Sequence, residues 1–276
     1  MEQRIEAISK SKHKDYFFLP LNIKDGNFIS LSKITSCQIC FPELKSLAPI
    51  FPIIFTKNEK NRFKIEVLFS FLKDKNPFIN QKGKWLEKYI PVYFRCLPFT
   101  LIDNQKKNDK VLSFISGTNF IFDKKVEGGI PFFEGKSISK DLSQIAGTID
   151  AIGKSNIVLD KALDLIYELD LIIEWPINIK FVDGEKTIEG IYKIDFEKLK
   201  NLSNDNVIKL HKMNGFEIIY SQLISMGAVE NMVRMIVSDQ SSKDQAKSLR
   251  EVVVEKQKIE KDREIDDLVK NLITPD

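Results

Sequence analysis

Lys82-Gly83-Lys84-Trp85-Leu86-Glu87-Lys88-Tyr89-Ile90-Pro91-Val92-Tyr93-Phe94-Arg95-Cys96-Leu97-Pro98-Phe99 is the stretch whose reading decides the fold. It sets five large aromatic rings beside one arginine and two prolines. Rings of this size serve as core anchors, as a binding surface for the cation and for partners, or as both. Trp85, Tyr89, Val92, Tyr93 and Cys96 fall at helical spacing, which predicts a helix from Trp85 to Leu97. Pro91 kinks or restarts that helix. A strand is expected to resume over Pro98-Phe99-Thr100-Leu101-Ile102, and Asn76 to Gln81 is a turn-rich connection into the stretch.

Working outward, short elements alternate with turn signals. Tyr16 to Ile23 and Asn27 to Leu31 flank Lys24-Asp25-Gly26, a hairpin signal. Pro42 to Ala48 reads as a short helix with proline in its first turn, ended by Pro49. Ile50 to Phe55 reads as a strand that Pro52 places at an edge or a bulge. Phe63 to Phe71 alternates at its start and reads as a further strand, as do Val111 to Ile115 and Asn119 to Phe122. Ser139 to Ile152 and Asn156 to Leu169 read as two helices split by Gly153. Leu171 to Val182 and Ile188 to Ile194 bracket Asp183-Gly184 as a second hairpin. Two short helices follow over Asp195 to Leu199 and Asp205 to Leu210; Gly215 ends the second, and Phe216 opens an apolar element reaching Met226-Gly227. Ala228 to Val237 is amphipathic, and Asp244 to Ile273 is a charged helix with an imperfect apolar stripe. Many short, turn-linked strands with packed helices define an α+β fold with a mostly antiparallel sheet. The division is a flexible N-terminus (1–15), an α+β domain (16–227) and a charged helical extension (228–276).

Bulk properties narrow the function classes. Of the 276 residues, 43% are hydrophobic, enough for a sizeable core. Lys+Arg 42 against Asp+Glu 39 leaves a net charge of +3, scattered rather than clustered, which does not favour nucleic acid. Met1 to Lys14 lacks a secretory apolar core, and no run approaches the ~18 apolar residues of a membrane span. The cytoplasm is the default location. Cys37, Cys40 and Cys96 cannot all pair within one chain, which argues against a disulfide scaffold. Cys37-Gln38-Ile39-Cys40 is a CxxC without a matching pair, so three buried free thiols and no metal or other cofactor are expected.

The order of landmarks resembles the bacterial SapC-like family. The likeness rests on Pro42-Glu43-Leu44, Phe51-Pro52-Ile53-Ile54-Phe55, Asn76-Pro77-Phe78-Ile79-Asn80, Gly83-Lys84-Trp85, Tyr89-Ile90-Pro91 and Arg95-Cys96-Leu97-Pro98-Phe99. Phe120-Ile121-Phe122-Asp123, Gly215-Phe216 and Tyr220 through Ser225 continue it. Leu44 departs from the pattern, which often has an aromatic residue there. The likeness spans roughly Tyr16 to Gly227. It implies association with bacterial surface-layer proteins, and hence cell-surface association, and it names no catalytic residue.

Two functions follow as expectations. The first is a non-enzymatic surface-layer-associated or accessory protein that binds another polypeptide. The second is a peptide-modifying enzyme or small-ligand binder built on a carboxylate/arginine pocket. Glu43, Asn76, Trp85, Tyr89, Arg95, Phe99 and Asp123 are the candidates for binding or for structural anchoring. His13 and His211 are the only histidines, and neither lies in the resembling motifs, which disfavours Ser-His chemistry. Arg95, set among rings, is expected to be partly buried, stacked on an aromatic face or paired with Glu43 or Asp123.

Overall fold

The computed structural model describes residues 4–21, 28–104, 109–181 and 184–238. The chain begins with β1 (Ile5–Ala7), α1 (Lys10–His13), β2 (Phe17–Phe18) and β3 (Ser36–Gln38). A 3-10 turn at Phe41–Glu43 leads into α2 (Leu44–Leu47), followed by β4 (Ile53–Lys57), β5 (Phe63–Leu68) and α3 (Val92–Cys96). Next come β6 (Phe99–Asn104), β7 (Asp109–Ile115), β8 (Ile121–Phe122), β9 (Ile130–Pro131), β10 (Phe133–Glu134) and β11 (Ser137–Ile138). The long α4 (Lys140–Glu168) precedes β12 (Ile172–Glu174), β13 (Ile177–Phe181), β14 (Gly184–Ile188) and β15 (Tyr192–Ile194). Four helices close the described chain: α5 (Phe196–Lys200), α6 (Asn204–Lys212), α7 (Gly215–Ser225) and α8 (Ala228–Ser238). The fold is α+β with antiparallel sheets.

The main sheet has the order β12-β15-β4-β5-β3. Pro52 does not force β4 to an edge. It precedes the first paired residue, Ile53, where no ladder N–H is required, and its carbonyl accepts from the Leu68 amide (2.8 Å). β4 and β15 pair through one residue couple, Tyr192 with Phe55. The opening between them is closed by a helix side chain. Buried Gln222 of α7 accepts from the Ile194 amide (3.2 Å) and donates to the Ile53 carbonyl (3.4 Å), while Ser225 Oγ accepts from the Ile53 amide (2.8 Å). These bonds satisfy strand groups that would otherwise be buried unpaired.

A second, smaller core gathers Phe18, Phe99, Phe114, Phe132 and Leu142 beneath the β1-β7-β6 and β8-β2-β9 sheets. The N-terminal residues, expected to be flexible, contribute to this region. β1 pairs with β7, and the His13 ring packs edge-on against Tyr16 and Phe114. The Asn27–Leu31 strand is instead a 3-10 turn at Ile29–Leu31, and the Lys24-Asp25-Gly26 turn lies outside the described residues.

α4 joins the cores. Ser139 caps it by accepting from the Leu142 amide (3.4 Å). Leu142 enters the small core, Ile152 a cluster with Cys40, Val92 and Cys96, and Leu159, Ala162, Leu163 and Ile166 the main core. The helix runs unbroken through Gly153, where two helices were expected. A mid-helix glycine costs only about 1 kcal/mol, less than the burial on either side of it contributes. Gly215 likewise opens α7 rather than only ending α6. Asn214 before it is left-handed, with φ 58°, and a Cβ at Gly215 would meet Leu210 Cδ2 at 2.7 Å.

α8 is not peripheral. Val229, Met232, Val233 and Ile236, at helical spacing, are at most 2% exposed and belong to the main core. Truncating one such side chain costs about 2–5 kcal/mol, against a typical total stability of about 5–15 kcal/mol. A chain ending at Gly227 is therefore expected to lose its near-ultraviolet circular dichroism and cooperative urea unfolding, whereas a chain ending at Ser238 keeps both. A cooperative transition in the shorter chain would show that α8 lies outside the folding unit.

Candidate functional site

The site is built outward from Glu43, a carboxylate only 4% exposed. Its position follows from local sequence: Cys40 is the N-cap of the 3-10 turn, Pro42 sits in the first turn, and Glu43 at the third position folds back on the cap. One oxygen, Oε2, accepts from the Cys40 amide and from the Cys40 thiol, each at 3.2 Å. The other, Oε1, reaches across the chain to accept from the Val92 amide (2.6 Å) and the Tyr89 hydroxyl (3.1 Å). Four donors thus converge on one buried carboxylate, which fastens Cys40–Glu43 to Tyr89–Val92.

The ring-rich stretch divides between core and surface. Trp85 is 1% exposed, and its ring centroid lies 5.7–6.3 Å from those of Phe28, Phe51, Phe69, Phe78 and Phe94. Its indole N–H donates to the Tyr89 carbonyl (2.9 Å). That bond, and the extended ψ of 139° at Pro91, hold Trp85–Pro91 as a folded loop. The helix expected from Trp85 is therefore confined to Val92–Cys96. Phe99 anchors the small core. Asn76 is buried at a turn: its Oδ1 accepts from the Phe78 amide (3.0 Å), and its Nδ2 has no partner among the described residues. Trp85, Phe99 and Asn76 thus lie in the interior, and Asp123 is exposed in a bend.

Arg95 differs from expectation. It is exposed, and among the described residues neither Glu43, Asp123 nor any other carboxylate pairs with it. The expected stacking is present: its guanidinium carbon sits 5.6 Å from the centroid of the half-buried Tyr89 ring. Glu43 cannot serve as its partner because both carboxylate oxygens already accept from other groups. Beside Arg95 opens a cleft of about 220 Å³. Arg95, Cys96 and Val92 form one wall, Asp141, Gln144 and Thr148 of α4 the other, and Pro20, Ile130 and Ile145 contribute apolar surface. The carboxylate that shares a cavity with Arg95 is thus Asp141. Nothing in the linear pattern singled out Asp141; its only signal was spacing, since 141, 144 and 148 share a helical face. A wider groove of about 440 Å³ between α4 and α6 carries Lys161, Lys209 and Lys212 with Asp164 and Glu168.

The thiols are withheld. Burial, followed by the charges of Glu43 and Glu66, holds the Cys37 thiol well above its ordinary value. Burial and the neighbouring Glu43 charge push Cys40 up to about 12. Burial raises Cys96 to about 11 despite the opposing Arg95 charge. All three are free and buried, and neutral thiols are weak nucleophiles. His13 is buried, its Nδ1 accepting from the Ser9 amide (3.1 Å), and His211 is exposed on α6. Among the described residues, no group of three or more His, Cys, Asp or Glu is arranged to hold a metal. None of their helices is long and apolar enough to cross a membrane.

The molecule is an α+β protein with a buried carboxylate hub and an arginine-walled cleft. The chain belongs to the SapC family, whose family model matches residues 8–232. No curated protein and no solved structure matches the chain.

Glu43→Ala leaves the Val92 and Cys40 amides without their acceptor, each at a cost of about 1–3 kcal/mol. A denaturant titration should show a loss of several kcal/mol; a loss below about 1 kcal/mol would mean that the hub is dispensable. Alkaline pH tests the same centre. Burial and then the Glu43 charge raise the Tyr89 hydroxyl to about 12 from an ordinary value of 10.0. A group whose folded pKa is raised stabilises the fold below the unfolded value and loses that contribution as pH climbs toward the folded one. With Cys40 and Cys96 shifted in the same direction, stability should fall between about pH 9 and 12. Glu43→Gln should move the Tyr89 transition, followed by tyrosinate absorbance, to lower pH.

Proposed function

We propose that this SapC-family protein is a non-enzymatic accessory protein that binds another polypeptide, with a surface-layer or exported protein as the partner class. The observation that carries the reading is the exposed Arg95, without a carboxylate partner among the described residues, on its Tyr89 platform beside a small cleft. Arginine stacked on a ring is a common recognition element at protein interfaces. The groups best suited to chemistry support the same reading. Glu43 spends both oxygens on structure, and the thiols are buried and neutral. The outer face of α7 adds exposed apolar area, with Tyr220 50% and Ile224 65% exposed. The surface-layer partner class comes from the family resemblance.

One observation favours a second reading, a small-ligand binder: Arg95 and Asp141 line the same cleft, which provides an arginine and a carboxylate in one cavity.

The two are separated in the native cell. Full-length protein carrying a photo-crosslinking residue at the exposed position 143, beside cleft-lining Gln144, is expected to capture a discrete polypeptide, and Arg95→Ala is expected to abolish the capture. If only small molecules co-purify, and Arg95→Ala releases them, the ligand-binding reading replaces the first.

A further inference from the structure

The cleft indicates which part of a partner polypeptide it takes. We infer that it is a receptor for the carboxyl terminus of a polypeptide chain ending in an apolar residue. The inference rests on the polypeptide-binding reading above.

Size comes first. About 220 Å³ is below the ~300–1,000 Å³ of clefts that enclose drug-sized ligands. The cavity takes one residue, not an extended segment or a helix. Charge comes second. Arg95 is exposed, has no carboxylate partner among the described residues, and is held over the Tyr89 ring. Tyr89 is itself fixed through its hydroxyl to buried Glu43. A guanidinium placed this way offers its planar fork to a carboxylate without first giving up an internal ion pair. The opposite wall comes third. Asp141 is an acceptor when ionised, Gln144 can accept or donate, and Thr148, whose hydroxyl donates to the Gln144 carbonyl (2.9 Å), keeps an acceptor free. They suit a main-chain N–H and C=O better than a second anion. The apolar surface of Pro20, Ile130 and Ile145, which line the same cleft and are not buried, suits an aliphatic or aromatic side chain.

A C-terminal residue unites these features within one residue-sized volume: a carboxylate for Arg95, a backbone N–H for Asp141, and a side chain for the apolar floor. An internal Asp or Glu carries a carboxylate but places it at the end of its own side chain, leaving no apolar group of the same residue for the floor. The C-terminal carboxylate is therefore the source assigned.

Isothermal titration of the full chain tests this with short, otherwise polar peptides ending in Leu, Val or Phe. Each is prepared with a free carboxylate and with a C-terminal amide, alongside an amidated control bearing an internal Asp. Saturable binding of at least one free-acid peptide is expected. Amidation should weaken it about 10- to 100-fold, as should Arg95→Ala, since hydrogen bonds to charged groups are of that strength. Arg95→Lys should recover part of the loss, and Thr148→Trp should block the cleft. The Arg95 guanidinium is exposed and among the described residues pairs with no carboxylate, so Arg95→Ala should leave the thermal melt unchanged. Equal binding of acid and amide overturns the inference, as does equal or tighter binding of the internal-Asp control. Absence of binding by every peptide also overturns it. In each of these cases the polypeptide-binding reading survives if the crosslinked partner is still captured in an Arg95-dependent way, and falls if it is not.

Discussion

One buried carboxylate organises this molecule. Glu43 accepts from two backbone amides, a thiol and a phenol, and its two oxygens serve different parts of the chain. In a low-dielectric interior such bonds are strong, and an unpaired group in the same place is costly. Glu43 therefore does more than fill a capping position. It sets the separation between the turn at Cys40 and the loop at Val92, and it fixes the ring that carries Arg95. A surface cation is thus placed by a chain of contacts that begins in the core.

The same logic operates at larger scale in α4 and α7. α4 passes through the small core, the cysteine-containing cluster and the main core, so two hydrophobic centres form one structure. The cleft lies where Phe18 of the small core, Val92 and Cys96 of α3, and the first turns of α4 meet. α7 supplies Gln222 and Ser225 to the narrow junction of β4 and β15, substituting side-chain bonds for missing ladder bonds. α7 thus places polar groups where strand backbone would otherwise be orphaned.

This division of labour frames the functional reading. The polar and titratable groups that draw attention in the resembling motifs are mostly absorbed by the fold. Glu43 and Asn76 hold turns, Trp85 and Phe99 fill cores, and Tyr89 is both a link to Glu43 and a platform. Arg95 is exposed, like Asp123, but it alone among these residues lies beside a cleft and over a ring. A polypeptide-binding role draws its support from that contrast.

Much of the fold was legible in the chain because its signals are local. Period-two alternation marked β5, and proline in the first turn marked the turn into α2. The structure divides the hairpin expected around Asp183-Gly184 differently: Leu171 to Val182 covers both β12 and β13, and Ile188 to Ile194 covers only the end of β14 and then β15, which pairs with β12 and β4. The family was legible from the order of such landmarks. Helical spacing misled at Trp85–Pro91, because the rings there are spaced to surround a core, and a bond from the indole to the Tyr89 carbonyl replaces helical bonding. Gly153 misled because burial on both sides of a glycine outweighs its local cost. The partner of Glu43, the isolation of Arg95 and the arrival of Asp141 opposite it were beyond any local rule. Each depends on tertiary packing: Glu43 meets Tyr89 and Arg95 shares a cleft with Asp141, residues 46 positions apart in both cases. The residue types, the local turn and strand signals and the fold class belong to the sequence. Which carboxylate is buried, which cation is exposed and which cleft lies between them belong to the tertiary structure, because burial is a property of the assembled core and not of any segment within it.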